Sequence, residues 1–269
     1  MGIMTTAESQ MAVQGRNANN IVALLVYGAL IVGVLAGIVF FAFPQIDLKT
    51  SEYFYRGGGV FAGKGGGIFA GGPPQTVSDF VRMALYFSFV GVCVLNIVGF
   101  FASLVLKRDV LGLGSVKWLF LAICLAAGPG LVGNTILKDH WGRARPVHLV
   151  EFGGSKSYTP PLVPSNQCDR NCSFVAGEAS MMFATFFAAA FLFPAIGRIL
   201  IGVGVALGLF SGFIRVSQGA HFVSDVIFAG VAMALTVSAI YFVFKTLARK
   251  RASNRGLAFQ DPLAGQMLW

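Results

Sequence analysis

The chain has 269 residues, of which 56% are hydrophobic and only 12% are charged. A soluble globular protein carries about 25% charged residues, so this chain has too few of them to cover a water-facing surface. The same composition excludes intrinsic disorder. We therefore expect an integral membrane protein, and its 34 glycines and 26 phenylalanines are typical of that class.

The net charge of the chain is +9, from 20 basic and 11 acidic side chains. In a soluble protein such an excess would indicate a nucleic-acid partner. Membrane proteins instead collect Lys and Arg in their cytoplasmic loops, so we expect a bilayer and no nucleic acid. Part of the excess is also a candidate anion-binding site.

Six apolar runs approach the length of about 20 residues that a transmembrane helix needs. We predict an all-α fold, a bundle of six transmembrane helices within residues 21–245. A cytoplasmic segment, 1–20, precedes the bundle, and a basic cytoplasmic tail, 246–269, follows it. The predicted helices cover residues 21–43, 83–106, 117–137, 179–196, 199–215 and 222–244.

The distribution of Lys and Arg predicts that both termini face the cytoplasm. Each side of the membrane receives ten basic residues, but those on the outer side are spread over two long loops, which count less in the positive-inside rule. These loops are residues 44–82 and 138–178. The first contains Gly57–Gly59 and Gly65–Gly67, and we expect a flexible interfacial segment because no strand precedes it and no Lys-Ser/Thr pair follows.

Ionisable residues form three clusters at the outer ends of the predicted helices, within residues 138–146, 173–180 and 215–225. An ionisable residue at a membrane edge is a functional candidate, and six crossings place all three clusters on one face. Lys138, Arg145 and Arg215 suit a tetrahedral dianion, because Arg presents a planar fork to phosphate oxygens and Lys a compact charge. Gly177, at the start of a helix, adds backbone N–H groups and the positive end of the helix dipole.

A histidine and an aspartate complete the third cluster. His221 and Asp225 are four residues apart at the start of the last predicted helix and therefore share one face. The carboxylate can hold the imidazole in one tautomer and stabilise its cation. An oriented imidazole beside a phosphate site can act as a nucleophile and form a phosphohistidine.

The spacing of these residues resembles the type 2 phosphatidic acid phosphatase (PAP2) superfamily, which consists of membrane phosphatases with six transmembrane helices. The first and third signatures of that family match Lys138-x6-Arg145-Pro146 and Arg215-x5-His221-x3-Asp225. The family's middle signature is normally Pro-Ser-Gly-His, whereas residues 175–178 read Val-Ala-Gly-Glu. The specific motifs cover the third to sixth helices.

The resemblance implies a metal-independent reaction without a cofactor. It makes His221 the nucleophile and Asp225 the residue that orients it, and it assigns phosphate binding to Lys138, Arg145, Arg215 and the Gly177 amide. Glu178 stands where the family has the histidine that protonates the leaving group. Phosphate would raise the pKa of Glu178 and the cations would lower it, so its role stays open, and His140 is an alternative acid. Ala176 also lacks the hydroxyl of the family's serine.

The substrate implied by a site at the outer membrane face is a phosphorylated lipid. Candidates are phosphatidic acid, phosphatidylglycerol phosphate, polyprenyl diphosphate and lipid A. Residues 167–175 and 46–55 resemble the lipid A phosphatase branch of the superfamily, which implies a bacterial inner membrane with the site facing the periplasm. In that oxidising compartment Cys168 and Cys172 can form a disulfide above the site.

We therefore predict a lipid phosphatase that acts through a phosphohistidine. Two alternatives stay open at this point. The altered residues Ala176 and Glu178 also fit a catalytically impaired relative that binds lipid or serves as a membrane subunit. A phosphotransferase would use the same intermediate with an acceptor other than water. The sequence does not predict an oligomeric state.

Overall fold

The computed structural model describes residues 6–63 and 76–254, in which helices dominate and the strands form one short β-hairpin. Two single-turn 3-10 helices, Pro146–His148 and Val150–Phe152, lie in the long loop before α5. The remaining elements are α1 (Thr6–Ala42), α2 (Gln45–Phe54), β1 (Tyr55–Gly57), β2 (Val60–Phe61), α3 (Val77–Leu106), α4 (Ser115–Leu125) with a π-helical continuation (Ala126–Lys138), α5 (Gly177–Leu192), α6 (Gly197–Ser217) and α7 (Val223–Asn254).

Five helices in the described residues are long and apolar enough to cross a membrane. They lie at Gly15–Ala42, Val77–Leu106, Ser115–Lys138, Gly197–Ser217 and Val223–Arg251. The sixth apolar helix, Gly177–Leu192, has 16 residues, fewer than the about 20 that span a bilayer. The prediction of an all-α membrane fold is confirmed, whereas the count of six spans is not.

α5 lies inside the bundle. Most of its side chains are buried, and it packs against α4, α6 and α7. Small residues allow this close approach. A Cβ at Gly208 of α6 would lie 2.6 Å from the Phe183 ring of α5, so a larger residue there would displace that ring. The apolar core therefore surrounds α5, whose N-terminus carries the second charged cluster.

The helix ends differ from the predicted ones where the helices become polar. α1 begins at Thr6 rather than near residue 21. α7 continues to Asn254 and so includes the first residues of the predicted tail, 246–254. Residues 255–269 lie outside the described residues. Polar helical turns carry no hydropathy signal, so the apolar runs marked only the central part of each helix.

The first outer loop is more ordered than the sequence indicates. Residues 45–54 form α2, and residues 55–61 form a β-hairpin whose turn uses Gly58 and Gly59 at positive φ. The prediction of a flexible segment is therefore wrong for this part of the loop. The Gly65–Gly67 run lies outside the described residues.

The third predicted helix changes its hydrogen-bond pattern midway. It is α-helical to Leu125 and π-helical from Ala126 to Lys138. Pro129 lies within the π-helical part and has no N–H to donate to an α-helical turn. π-Helical segments are frequent at functional sites, and this one ends at Lys138, the first residue of the phosphate-site motif.

Candidate active site

The structure brings the three charged clusters together at one end of the bundle. Gly177 starts α5 directly against the π-helical segment. A Cβ at this position would lie 3.0 Å from Lys138 Nζ and 2.9 Å from Asn134 Oδ1. A larger residue would therefore have to displace the ends of these two side chains, and a helix N-terminus beside an ammonium group favours an anion.

Two arginines flank this lysine. Lys138, Arg145 and Arg215 lie near enough to one another to interact electrostatically. Arg215 lies in the last turn of α6, its side chain is 11% exposed, and it donates to Gln218. Its buried Nε has no hydrogen-bond partner among the described residues, although it lies 3.7 Å from the Glu178 carboxylate. The three predicted phosphate-binding cations thus share one region, and one of them retains an unused buried donor.

Glu178 is paired with Arg82, a residue that the sequence analysis did not select. Arg82 Nε donates to both carboxylate oxygens, at 2.8 and 3.1 Å, and its Nη2 lies 2.7 Å from Oε1. Arg82 comes from the second turn of α3, 96 residues away in the chain. The available signal was an arginine directly before the apolar run 83–106, because an ionisable residue at a membrane edge is a functional candidate by position alone.

His221 lies in the turn between α6 and α7 and is 2% exposed. Its Nδ1 lies 2.6 Å from the backbone carbonyl oxygen of Ser173. A carbonyl oxygen accepts hydrogen bonds only, so Nδ1 carries the proton and Nε2 keeps its lone pair. Burial, together with the nearby cations Lys138 and Arg145, lowers the pKa of His221 to about 3, so the imidazole is neutral and nucleophilic at neutral pH.

Asp225 reaches His221 through Ser173 rather than by a direct hydrogen bond. Its Oδ2 lies 3.8 Å from His221 Nδ1, but it accepts from the Ser173 hydroxyl at 2.5 Å and from the Phe222 backbone N–H at 2.8 Å. Ser173 thus contacts the carboxylate with its side chain and the imidazole with its carbonyl. The predicted orienting pair contains an intermediate residue that spacing alone did not indicate.

A fully buried ionic network lies behind Asp225. Arg143 forms ion pairs with both Asp225 and Asp47, and all three side chains are 0% exposed. The negative charge of the two carboxylates outweighs burial and raises the pKa of Arg143 above its ordinary value. Arg143 lies inside the first motif at a position to which no role was assigned, and Asp47 belongs to α2.

The loop before α5 holds Arg145 in place. The structure joins Cys168 to Cys172 by a disulfide, and the Cys172 N–H donates to the Lys138 carbonyl at 2.9 Å. Between the cysteines, Asn171 accepts from Arg145 Nη2 through its backbone oxygen at 2.8 Å and its side-chain oxygen at 2.7 Å. The disulfide therefore closes a small loop that touches two of the three phosphate-site cations.

Ala176 and His140, which the sequence also singled out, lie at the start of α5 and on the surface, respectively. Ala176 is the N-cap of α5, has extended backbone angles, and provides no side-chain hydrogen bond to the helix. Its backbone N–H donates to the Asp225 carbonyl at 3.2 Å. His140, the alternative acid, is exposed, and its Nδ1 lies 2.8 Å from the Thr135 carbonyl. Glu178 rather than His140 lies among the phosphate-site cations.

Comparison with known proteins identifies the family to which the chain belongs. The sequence model of the PAP2 superfamily matches residues 116–250. A lipid A 4'-phosphatase of Francisella tularensis subsp. novicida (strain U112) is 36% identical over 79% of this chain and 92% of its own length. A lipid A 4'-phosphatase of Rhizobium etli is 31% identical over 70% of this chain and 75% of its own length.

A third relative, a lipid A 4'-phosphatase of Rhizobium leguminosarum, is 28% identical over 75% of this chain and 88% of its own length. No solved structure gives a significant match. The apolar helices and these bacterial relatives support a bacterial inner-membrane protein. The resemblance drawn from the two motifs is confirmed: the chain belongs to the PAP2 superfamily and is a membrane phosphatase of that type.

Proposed function

We propose that this protein removes a phosphate monoester from a lipid A-type glycolipid at the periplasmic face of the membrane, through a phosphohistidine on His221. The observation that carries the mechanism is the hydrogen bond from His221 Nδ1 to the Ser173 carbonyl, because it leaves Nε2 free beside the cations. The substrate class rests on the three relatives, each of which is a lipid A 4'-phosphatase.

In the first step His221 Nε2 attacks phosphorus, forming an N–P bond as the bond between phosphorus and the lipid oxygen breaks. Lys138, Arg145 and Arg215, with the N–H groups that begin α5, bind the phosphoryl oxygens and stabilise the charge that develops on them. The imidazole becomes cationic when it is phosphorylated. Asp225 offsets that charge through the Ser173 hydroxyl.

In the second step a water molecule attacks phosphorus, the N–P bond breaks, and inorganic phosphate leaves.

We assign the proton transfers of both steps to Glu178, which occupies the family's acid position. Its carboxylate is ion-paired with Arg82 and Arg215 in the ligand-free protein. A bound phosphate competes for these guanidinium groups, so the carboxyl takes up a proton on binding, gives it to the lipid oxygen, and regains one from the attacking water.

The leaving group provides a direct test of this role. A Glu178→Gln variant keeps the size of the side chain but cannot transfer a proton. We expect kcat on a lipid phosphate, whose alkoxide leaves poorly, to fall about 100-fold or more. From nitrophenyl phosphate the nitrophenolate leaves without protonation, so its release in the first turnover, before the phosphohistidine is hydrolysed, should slow far less. An equal loss of the first-turnover rate on both substrates would exclude Glu178 as the acid that protonates the leaving group.

The function itself is tested by phosphate release from purified protein in detergent. The panel contains lipid A, phosphatidic acid and polyprenyl diphosphate, each with and without a chelator, and His221→Gln is the control. We expect release from lipid A that is insensitive to the chelator and absent in the variant. Release from another lipid only would overturn the substrate class, and loss with the chelator would overturn the metal-free reaction.

The two alternatives have distinct results in the same assay. No release from any lipid, with activity restored by Ala176→Ser together with Glu178→His, would identify an impaired relative. Phosphate that passes to a second lipid rather than to water would identify a phosphotransferase.

A further inference from the structure

We propose that Asp47 is a positioning residue for the reaction at His221: acting through Arg143 and Ser224, it fixes the carboxylate of Asp225 behind the nucleophile. This inference rests on the proposed function, because it concerns the reactivity of His221. Asp47 lies in α2, outside the residues that the PAP2 motifs cover. Neither the motifs nor the spacing of charged residues assigned it a role.

Both carboxylate oxygens of Asp47 accept hydrogen bonds. Its Oδ2 accepts from Arg143 Nη2 at 2.9 Å, from the Ser224 hydroxyl at 2.5 Å and from the Tyr158 hydroxyl at 3.2 Å. Its Oδ1 accepts from the Ser224 backbone N–H at 3.1 Å. Asp47 thus caps the N-terminus of α7 through Ser224, the residue directly before Asp225. It cannot shift without breaking several hydrogen bonds.

Arg143 extends this constraint to Asp225. Its Nη1 donates to Asp225 Oδ1 and to the Ser224 hydroxyl, the latter at 2.8 Å, while its Nε donates to the Thr159 carbonyl at 2.8 Å. The guanidinium carbon also lies 4.2 Å from the centre of the Phe222 ring. The guanidinium plane is therefore fixed on its edges and on one face, and it presents a fixed donor to Asp225.

Asp225 passes this constraint to the nucleophile. With Oδ1 held by Arg143, its Oδ2 faces the Ser173 hydroxyl and the Phe222 N–H, and the Ser173 carbonyl holds His221 Nδ1. Arg143 also fixes Ser173 from its own backbone, because the Ser173 N–H donates to the Arg143 carbonyl at 2.8 Å. A continuous series of contacts thus links Asp47 to the imidazole ring that attacks phosphorus.

The charges indicate why a second carboxylate is present. Arg143 alone would neutralise Asp225, and the pair would then do little to stabilise a cationic phosphohistidine. Burial raises the pKa of Asp47 above its ordinary value, and Arg143 and the Ser224 hydrogen bonds oppose that shift. With both carboxylates ionised and sharing the guanidinium, the three side chains carry a net charge of −1 in a fully buried site. Uncompensated negative charge at this position acts on the imidazole over a short distance and with little screening by water. The arrangement therefore offsets part of the positive charge that phosphorylation places on the imidazole.

A purely structural role, in which Asp47 only ties α2 to α7, predicts a different result from a positioning role. Loss of an anchor lowers stability but leaves the kcat of the folded fraction unchanged. Loss of a positioning residue lowers kcat while KM changes little, because substrate binding by the cations is preserved. The separation of kcat from KM in folded protein therefore distinguishes the two roles.

The test is an Asp47→Asn variant, purified in detergent and assayed with the best substrate of the lipid panel. Asparagine keeps the shape of the side chain but removes its charge. We expect kcat to fall about 10- to 100-fold with KM within about twofold of the wild-type value. Glu52→Gln, which removes an exposed charge from the same helix, and Ser51→Ala, which removes a buried hydroxyl without a partner among the described residues, are matched controls expected to keep wild-type kcat.

A second variant, Tyr158→Phe, tests the inference if Asp47→Asn does not fold. Tyr158→Phe removes only the hydroxyl that contacts Asp47 and Arg143 and keeps the ring that packs against Phe222. We expect a smaller fall in kcat at unchanged KM. Wild-type kcat in a folded Asp47→Asn protein, or in Tyr158→Phe if only that variant folds, would overturn the inference. Absence of phosphate release by the wild-type protein would instead overturn the proposed function.

Discussion

The buried network makes a strong prediction about stability, and Arg143→Met is the perturbation that tests it. Methionine has nearly the length of the arginine stem but no charge and no donors. Its introduction leaves Asp47 and Asp225, both 0% exposed, without their shared cation. Both carboxylates keep other hydrogen bonds, to Ser224 and to Ser173, so neither is left without any donor.

The expected loss follows from these contacts. Breaking a buried ion pair by removing one partner costs about 3–5 kcal/mol, because a charge is left uncompensated. The remaining hydrogen bonds argue for one such loss rather than two. For a domain of about this size each kcal/mol shifts Tm by about 2–4 °C, so the Tm of Arg143→Met should be lower by about 6–20 °C.

Thermal unfolding of detergent-solubilised protein measures this shift, with Arg170→Met as the matched control. The Arg170 side chain is 87% exposed and lies 3.9 Å from Asp139, so its removal should change stability by about 1 kcal/mol or less. Adding Asp47→Asn to Arg143→Met should recover part of the Tm, since one unpaired buried charge disappears. A Tm for Arg143→Met equal to that of Arg170→Met would refute the account of the network.

Three further predictions concern the site. Burial lowers the pKa of His221 from 6.5 to about 3. Between these two pH values the histidine is protonated in the unfolded chain but neutral in the folded protein. The unfolding free energy should therefore fall as pH decreases from about 6.5, less steeply in His221→Gln, as measured by denaturation over a pH series. Ala176→Ser restores a hydroxyl at the N-cap of α5 and should lower KM up to about tenfold, whereas Ala176→Gly should not. Reduction of the Cys168–Cys172 disulfide should release Arg145 and raise KM with little change in kcat, and steady-state kinetics before and after reduction would show no difference if the loop is irrelevant.

The sequence predicted the residues that lie close together in short motifs. Lys138 and Arg145, Gly177 and Glu178, and His221 and Asp225 each belong to one local run, and helix ends that face the same way bring the runs together. Hydropathy also located the central part of each apolar helix in the described residues. These successes rest on local information, because charge within an apolar chain is conspicuous and its spacing is specific.

The residues that the sequence did not reveal are those whose partners are remote. Arg82 pairs with Glu178 across 96 residues, and Asp47 contacts Ser224 across 177 residues. Hydrophobic periodicity shows which face of a helix is apolar but not which helices pack together. Arg143 was visible within a motif, yet only the packing shows that it is buried between two carboxylates. The short α2 was missed because its polar composition resembles that of a loop.

The central claim is that the phosphoryl group passes through His221, and single-turnover trapping tests it most directly. The protein is mixed with lipid A labelled in the phosphate, quenched in base within one turnover, digested and analysed by mass spectrometry. We predict a base-stable, acid-labile phosphoryl group on the peptide that contains His221, and no label in His221→Gln. Label on any other residue, or phosphate released during the turnover with no labelled peptide at any quench time, would contradict the account.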